Sequence, residues 1–442
     1  MLNLRKRIRA EMSVMRAKID SILKHGDEVI GEVNVKQLYG GMRGVIGMVC
    51  NSSYVDPQKG LHIRGIPISE LTDKLPEEVF HLLCTGYLPN KDELEDLQNE
   101  LAIRSEVPDY VWHIIHALPR DTHPMTMLSM AILAMEGKSI FKEKYASGLR
   151  KADFAEATLD DALELLGKLP IIAAGIYRIR FAKGYLIPYD KSLDWGANYA
   201  KMLGIPDPDG EFVKLVRLYL VLHCDHEGGN VSAFTARVVN SALSNLYLAV
   251  SAGLNGLAGP LHGLANQECL KFVLALDEKF NKVPSKEETR EFVLSTLNLG
   301  KVIPGYGHAV LRATDPRYTA FMEFGRKYLP DNRIYKIIER LYEVVPDILK
   351  DHGGKKISNP WPNVDAASGS LLFNYGLTEF DYYTVMFGVS RALGFCAQSI
   401  LIRGLGAPII RPKSVTNEWL EKAIKQKKQR VKNKKHEKSI CG

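Results

Sequence analysis

The stretch Thr378–Arg403, TEFDYYTVMFGVSRALGFCAQSILIR, contains no proline, and its residues from Val385 to Ile402 are almost all apolar. A run of this length and composition reads as one long, largely buried helix. Arg391 lies inside it. A guanidinium surrounded by apolar neighbours needs a compensating group. Two kinds fit equally well at this point: an Asp or Glu elsewhere in the chain, or an anionic ligand.

Working outward, helical signals dominate. Ser285 opens SKEETREFVLSTLNLG, where Ser285 and Glu288 have capping-box spacing and Gly300 supplies a stop. PEEVFHLLCTG starts with Pro76 in a first-turn position and halts at Gly86. Strand signals are few: VIGEVNV at 29–35 and LHIRGIPI at 61–68, which predict a small antiparallel hairpin near the N-terminus. Without repeats or βαβ alternation, the predicted class is all-α.

The 442 residues, 46% hydrophobic and 25% charged, have an ordinary globular composition, and the length predicts two or three domains. The longest apolar run, Ala392–Ile402, is bracketed by Arg391 and Arg403 and is too short to span a bilayer, so no membrane partner is expected. The six cysteines are scattered without a CxxC pair, as suits reduced thiols. The N-terminus MLNLRKRIRAEMSVMRAKID is basic but lacks an apolar core, and acidic residues come early. The expectation is a cytoplasmic chain without a cleaved presequence, with the mitochondrial matrix as the alternative.

The net charge of +7 is local. Lys422–Lys435 (KAIKQKKQRVKNKK) holds eight basic and no acidic residues, so the rest of the chain sums to about −1. A solvated C-terminal tail is the ordinary reading. RNA, membrane lipid or an acidic partner is the electrostatic alternative. Without interleaved aromatics base stacking is not suggested, and nucleic acid is not expected as a partner.

Three glycine- or proline-rich turns carry ionisable groups: GLNGLAGPLHGLANQE (Gly253–Glu268) with His262, VIPGYGHAVLRATDPRY (Val302–Tyr318) with His308, Arg312 and Arg317, and NPWPNVDAASGSLL (Asn359–Leu372) with Asp365. Two imidazoles and a carboxylate on constrained turns suit acid–base chemistry. Each alone would more often be a structural histidine or an incidental loop residue. HCDHE puts His223 and His226 at i, i+3 beside Cys224 and Asp225, a pattern that invites a metal. It fails the H-E-x-x-H test because Asn230 stands where the second histidine would be. No metal is expected.

Taken in order, HCDHEGGNVSA (His223–Ala233), NGLAGPLHGLANQE, PGYGHAVLRATDPRY, NPWPNVDAASG, GVSRALG (Gly388–Gly394) and RPKS (Arg411–Ser414) resemble the citrate synthase family over about Lys18–Ser414. The resemblance implies condensation of acetyl-CoA with oxaloacetate and hydrolysis of citryl-CoA, with no cofactor beyond the CoA co-substrate. It implies Asp365 as the base, His262 as donor to the thioester oxygen and His308 as donor to the keto group. His226, Arg317, Arg391 and Arg411 would hold oxaloacetate, with Arg411 reaching the other subunit's site in a homodimer. CoA would meet Arg43, Arg312, Val302, Gly305, Ala309 and, from the partner, Arg150. One departure is Ser358, where a lysine precedes Asn-Pro-Trp-Pro in the family; Lys355 and Lys356 lie just upstream.

The same resemblance implies a large domain of residues 1–265 and 371–442 and a small domain of 266–370. Two other functions compete. A 2-methylcitrate synthase would use propionyl-CoA, and a one-methylene difference is worth only about 1–3 kcal/mol. A nucleic-acid-binding protein would work through the basic tail.

Overall fold

A computed structural model describes residues 2–308, 310–353 and 359–440. The chain forms two compact units, Met1–Ala407 and Pro408–Gly442. The first is helical except for a three-stranded antiparallel sheet, Ser53–Asp56, Gly60–Ile63 and Ile66–Pro67. The second carries the helix Asn417–Ile440.

The stretch quoted first is the spine of the first unit. The helix runs Tyr383–Gly404 and buries every residue except Ile402. It packs against Phe154–Arg180, Pro76–Thr85, Val231–Ser241 and Leu246–Leu257. Phe380–Gly404 is long and apolar enough to cross a membrane, but its apolar window is 89% buried inside the fold, which marks it as a core helix. Its start differs from expectation. Phe380–Tyr382 forms a 3₁₀ turn, and Glu379 is outside the helix, accepting from the Tyr177 hydroxyl at 2.6 Å and pairing with Lys183.

Local signals decide the other boundaries. Ser285 and Glu288 close a capping box at the start of Lys286–Asn298. Pro76 sits at the first helical position of Pro76–Thr85, and Gly86 ends it in the left-handed conformation.

The hairpin exists, but its first strand is not where the alternation placed it. Ser53–Asp56 pairs with Gly60–Ile63, and Asp56 closes the turn by accepting from the amides of Gln58 and Lys59 at 2.8 Å. Residues 29–34 are exposed and irregular, and Asn34 instead caps the short helix Val35–Tyr39. With no neighbouring strand to pair with, alternation alone does not make a strand.

Candidate active site

Arg391 gives the first answer. It is buried, and its Nε donates to the His223 carbonyl at 2.8 Å while the guanidinium lies 4.7 Å from the Phe387 ring centre. Among the described residues no carboxylate is within ion-pair distance. Burial lowers its pKa to about 10, opposed chiefly by Asp225, so it stays charged at neutral pH. The internal ion pair weighed above is absent, which leaves an anionic ligand as the partner that fits.

Gly394 explains how the helix reaches this turn. A Cβ there would sit 2.4 Å from the Cys224 carbonyl oxygen, and the Gly394 amide donates to that same oxygen at 3.1 Å. The turn is fastened from the other side by the N-terminal hairpin. Asp225 accepts from Ser52 and Ser53 hydroxyls at 2.6 and 2.8 Å and from Gln398 at 2.8 Å. Glu227 adopts a left-handed φ of 59°, held by its amide to Ser53 and its carboxylate to the Val55 amide. His223 to His226 therefore form a braced turn rather than a helical face, with His223 Nδ1 3.0 Å from the Tyr219 carbonyl. Among the described residues no group of three or more His, Cys, Asp or Glu side chains is arranged to hold a metal.

The second and third glycine- or proline-rich turns are laced together. Gly307 donates to the Trp361 carbonyl at 3.0 Å, Asn363 donates to Gly305 and Gly307 carbonyls at 2.9 Å each, and Asp315 donates to Pro362 at 3.2 Å. Gly305 has φ 77°, and a Cβ there would lie 2.8 Å from Ala366 Cα, so only glycine lets this turn close on the Asp365 helix.

His308 Nδ1 accepts from the amides of Val310 and Leu311, both at 3.0 Å. Two N–H groups on one ring nitrogen put the neutral proton on Nε2, making that atom a donor. Burial first, then Arg317, lowers the His308 pKa to about 4. Its ring centre is 5.6 Å from that of His226, which burial, Arg317 and Arg391 hold well below the usual imidazole range.

His262 has the opposite tautomer. The Ser232 amide donates to its Nε2 at 3.3 Å and the Ser232 hydroxyl is 2.9 Å away, so the neutral proton belongs on Nδ1. Burial and Arg391 lower its pKa to about 4.

Asp365 opens the helix Asp365–Asn374, and its own amide donates to Asn363 Oδ1 at 3.0 Å. Burial lifts its pKa to about 6, helped by Asp315 and opposed by Arg317 and Arg391. A carboxylate titrating near 6 is a base about a hundredfold stronger than one at the usual 3.9.

Arg317 is buried and already partnered. Asp315 binds it through Nη2 at 2.7 Å and Nε at 3.1 Å while capping the helix Pro316–Tyr328. Arg317 acts electrostatically on His226, His308 and Asp365, and Arg391 on His226, His262 and Asp365. These six side chains thus share one electrostatic neighbourhood.

The other expected residues stand differently. Arg312 donates to the carbonyls of Val310 and Leu311. Arg150 is exposed and paired with Asp153, and Arg43 and Val302 are exposed. Arg411 belongs to the second unit. Ala309, Ser358, Lys355 and Lys356 lie outside the described residues. Asp315, Ser232 and Phe387 were not picked out from the sequence. Asp315 alone left a signal there, as the aspartate before a helix-opening Pro316.

A raised-pKa carboxylate, two neutral imidazole donors of fixed tautomer and two buried arginines make a site for drawing a proton from carbon and joining the product to an anionic carbonyl acceptor. The chain belongs to the citrate synthase family: the family profile described as "Citrate synthase, C-terminal domain" matches residues 41–413. Mitochondrial citrate synthase 4 of Arabidopsis thaliana is 49% identical over 414 residues, covering 91% of this chain and 86% of that protein. Mitochondrial 2-methylcitrate synthase of Yarrowia lipolytica is 47% identical over 413 residues, covering 91% and 88%. The crystal structure of citrate synthase from Pyrobaculum aerophilum superposes with a TM-score of 0.77 at 30% identity, covering 88% of this chain and 95% of that one.

The cytoplasmic expectation is corrected by these comparisons. Four relatives from plants and yeast, at 45–49% identity, are named mitochondrial citrate synthases, which points to the mitochondrial matrix.

Proposed function

We propose that this enzyme carries out its citrate synthase reaction with Asp365 as the base that takes a methyl proton from acetyl-CoA. The thioester oxygen, gaining negative charge, receives a hydrogen bond from His262 Nδ1–H. The enol carbon attacks the keto carbon of oxaloacetate, whose oxygen is polarised by His308 Nε2–H. A new C–C bond forms, and the keto oxygen becomes the citryl hydroxyl. Water then cleaves the thioester, giving citrate and CoA.

The observation that carries this reading is the pairing of Asp365, titrating near 6, with two imidazoles whose hydrogen bonds leave the opposite nitrogens free to donate. A base of ordinary strength contributes about 10²–10⁴-fold, so the donors must supply much of the rest. Arg391, Arg317 and His226 receive the dianion. Arg411 completes that set from the other subunit of a homodimer. Exposed apolar residues on packed helices, Met130, Leu133, Val231 and Leu248, support such an association. CoA lies along Val302–Ala309 with Arg43, Arg312 and the partner's arginine equivalent to Arg150 on its phosphates.

Residues 266–370 act as a small domain that closes on the large one, 1–265 and 371–442, and excludes water from the enol. The test is binding order: oxaloacetate should lower the apparent Kd for acetyl-CoA, and independent binding would refute closure. The kcat/KM ratio for acetyl-CoA over propionyl-CoA tests the 2-methylcitrate alternative, which the comparisons do not favour.

A further inference from the structure

The family match ends at residue 413, and the chain continues through a helix, Asn417–Ile440, beyond the matched residues. At 100° per residue, Trp419, Leu420, Ala423 and Ile424 fall within one sector of about 140°. Lys422, Lys425 and Lys428 fall on the other side; as far as Lys428, Lys427 alone interrupts the apolar sector, which is confined to these first turns of the helix. Trp419 is 50% exposed and Ile424 38% exposed, and the four lysines are exposed. The sequence then adds Arg430, Lys432, Lys434 and Lys435 with no acidic residue among them.

We propose that this C-terminal helix docks the enzyme reversibly on an anionic lipid surface. Two signals combine, each weak alone: a shallow apolar edge led by an exposed tryptophan, and a dense basic run. A nucleic-acid ligand would use the charges and leave Trp419 and Ile424 without a role, since one aromatic at the head of the helix makes no stacking platform. The lipid surface accounts for both features. It departs from the expectation that no membrane is involved, because that expectation concerned spanning segments and this contact is peripheral.

The test uses the full-length protein and sedimentation with phosphatidylcholine vesicles containing or lacking about a third of anionic lipid. Binding is expected only to the anionic vesicles and should be lost at 1 M salt, where the Debye length falls to about 3 Å. The triple variant K425Q/K428Q/K432Q should bind about a hundredfold more weakly. Trp419→Ala should weaken binding several-fold and abolish any vesicle-induced blue shift of tryptophan emission. Both variants should keep wild-type citrate synthase activity, which verifies folding. Equal binding by the triple variant, no binding to anionic vesicles at low salt, or displacement by duplex RNA at equal phosphate would overturn the proposal.

Discussion

The Ser232 amide points at His262 Nε2 from 3.3 Å, with the Ser232 hydroxyl 2.9 Å from the same nitrogen. A backbone N–H can only donate, so this contact fixes which side of the imidazole carries the proton. Replacing Ser232 with Ala removes one of the two contacts. It should lower kcat about tenfold with KM for oxaloacetate nearly unchanged, because the loss falls on charge that develops in the transition state. A KM effect without a kcat effect would assign Ser232 to substrate binding instead.

The Asp365 value of about 6 makes activity fall as pH drops through that region, since only the ionised carboxylate accepts a proton. The pH profile of kcat/KM for acetyl-CoA should show an acidic limb near 6. A limb near 4 would mean that burial does not raise this group in the working enzyme.

The same raised value is a stability cost. The unfolded pKa is about 3.9, so the folded state binds this proton more tightly, and stability is lost as pH rises from about 4 to 6. At pH 7 Asp365→Asn should therefore raise stability by about 1–3 kcal/mol while removing the base. Denaturant unfolding at pH 7 and pH 4 separates the cases: the gain should shrink at pH 4.

Asp315 both pairs with Arg317 and raises Asp365. Asp315→Asn leaves a buried guanidinium without its counter-charge, which costs about 3–5 kcal/mol. The acidic limb of the pH profile should also move to lower pH. A Tm drop with an unmoved limb would limit Asp315 to a structural role.

Much of this was legible in the chain. The spine helix follows from a long apolar run, and the Ser285 cap and the Pro76–Gly86 helix follow from local chemistry that needs no tertiary context. The misplaced strand at 29–35 shows the limit, because pairing depends on a partner segment and periodicity carries no such information. Arg391 was conspicuous as a charge among apolar neighbours, whereas Asp315 and Ser232 matter through contacts made only after folding. No sequence pattern shows that a buried Asp315 would raise a second carboxylate, Asp365, across two interlaced turns.

The most direct measurement is the condensation rate of purified Asp365→Ala alongside its affinity for oxaloacetate. The expected result is a rate at least about a thousandfold below wild type with oxaloacetate Kd within a few-fold, since the arginines and His226 are untouched. A variant that condenses within tenfold of wild type would show that another group takes the proton.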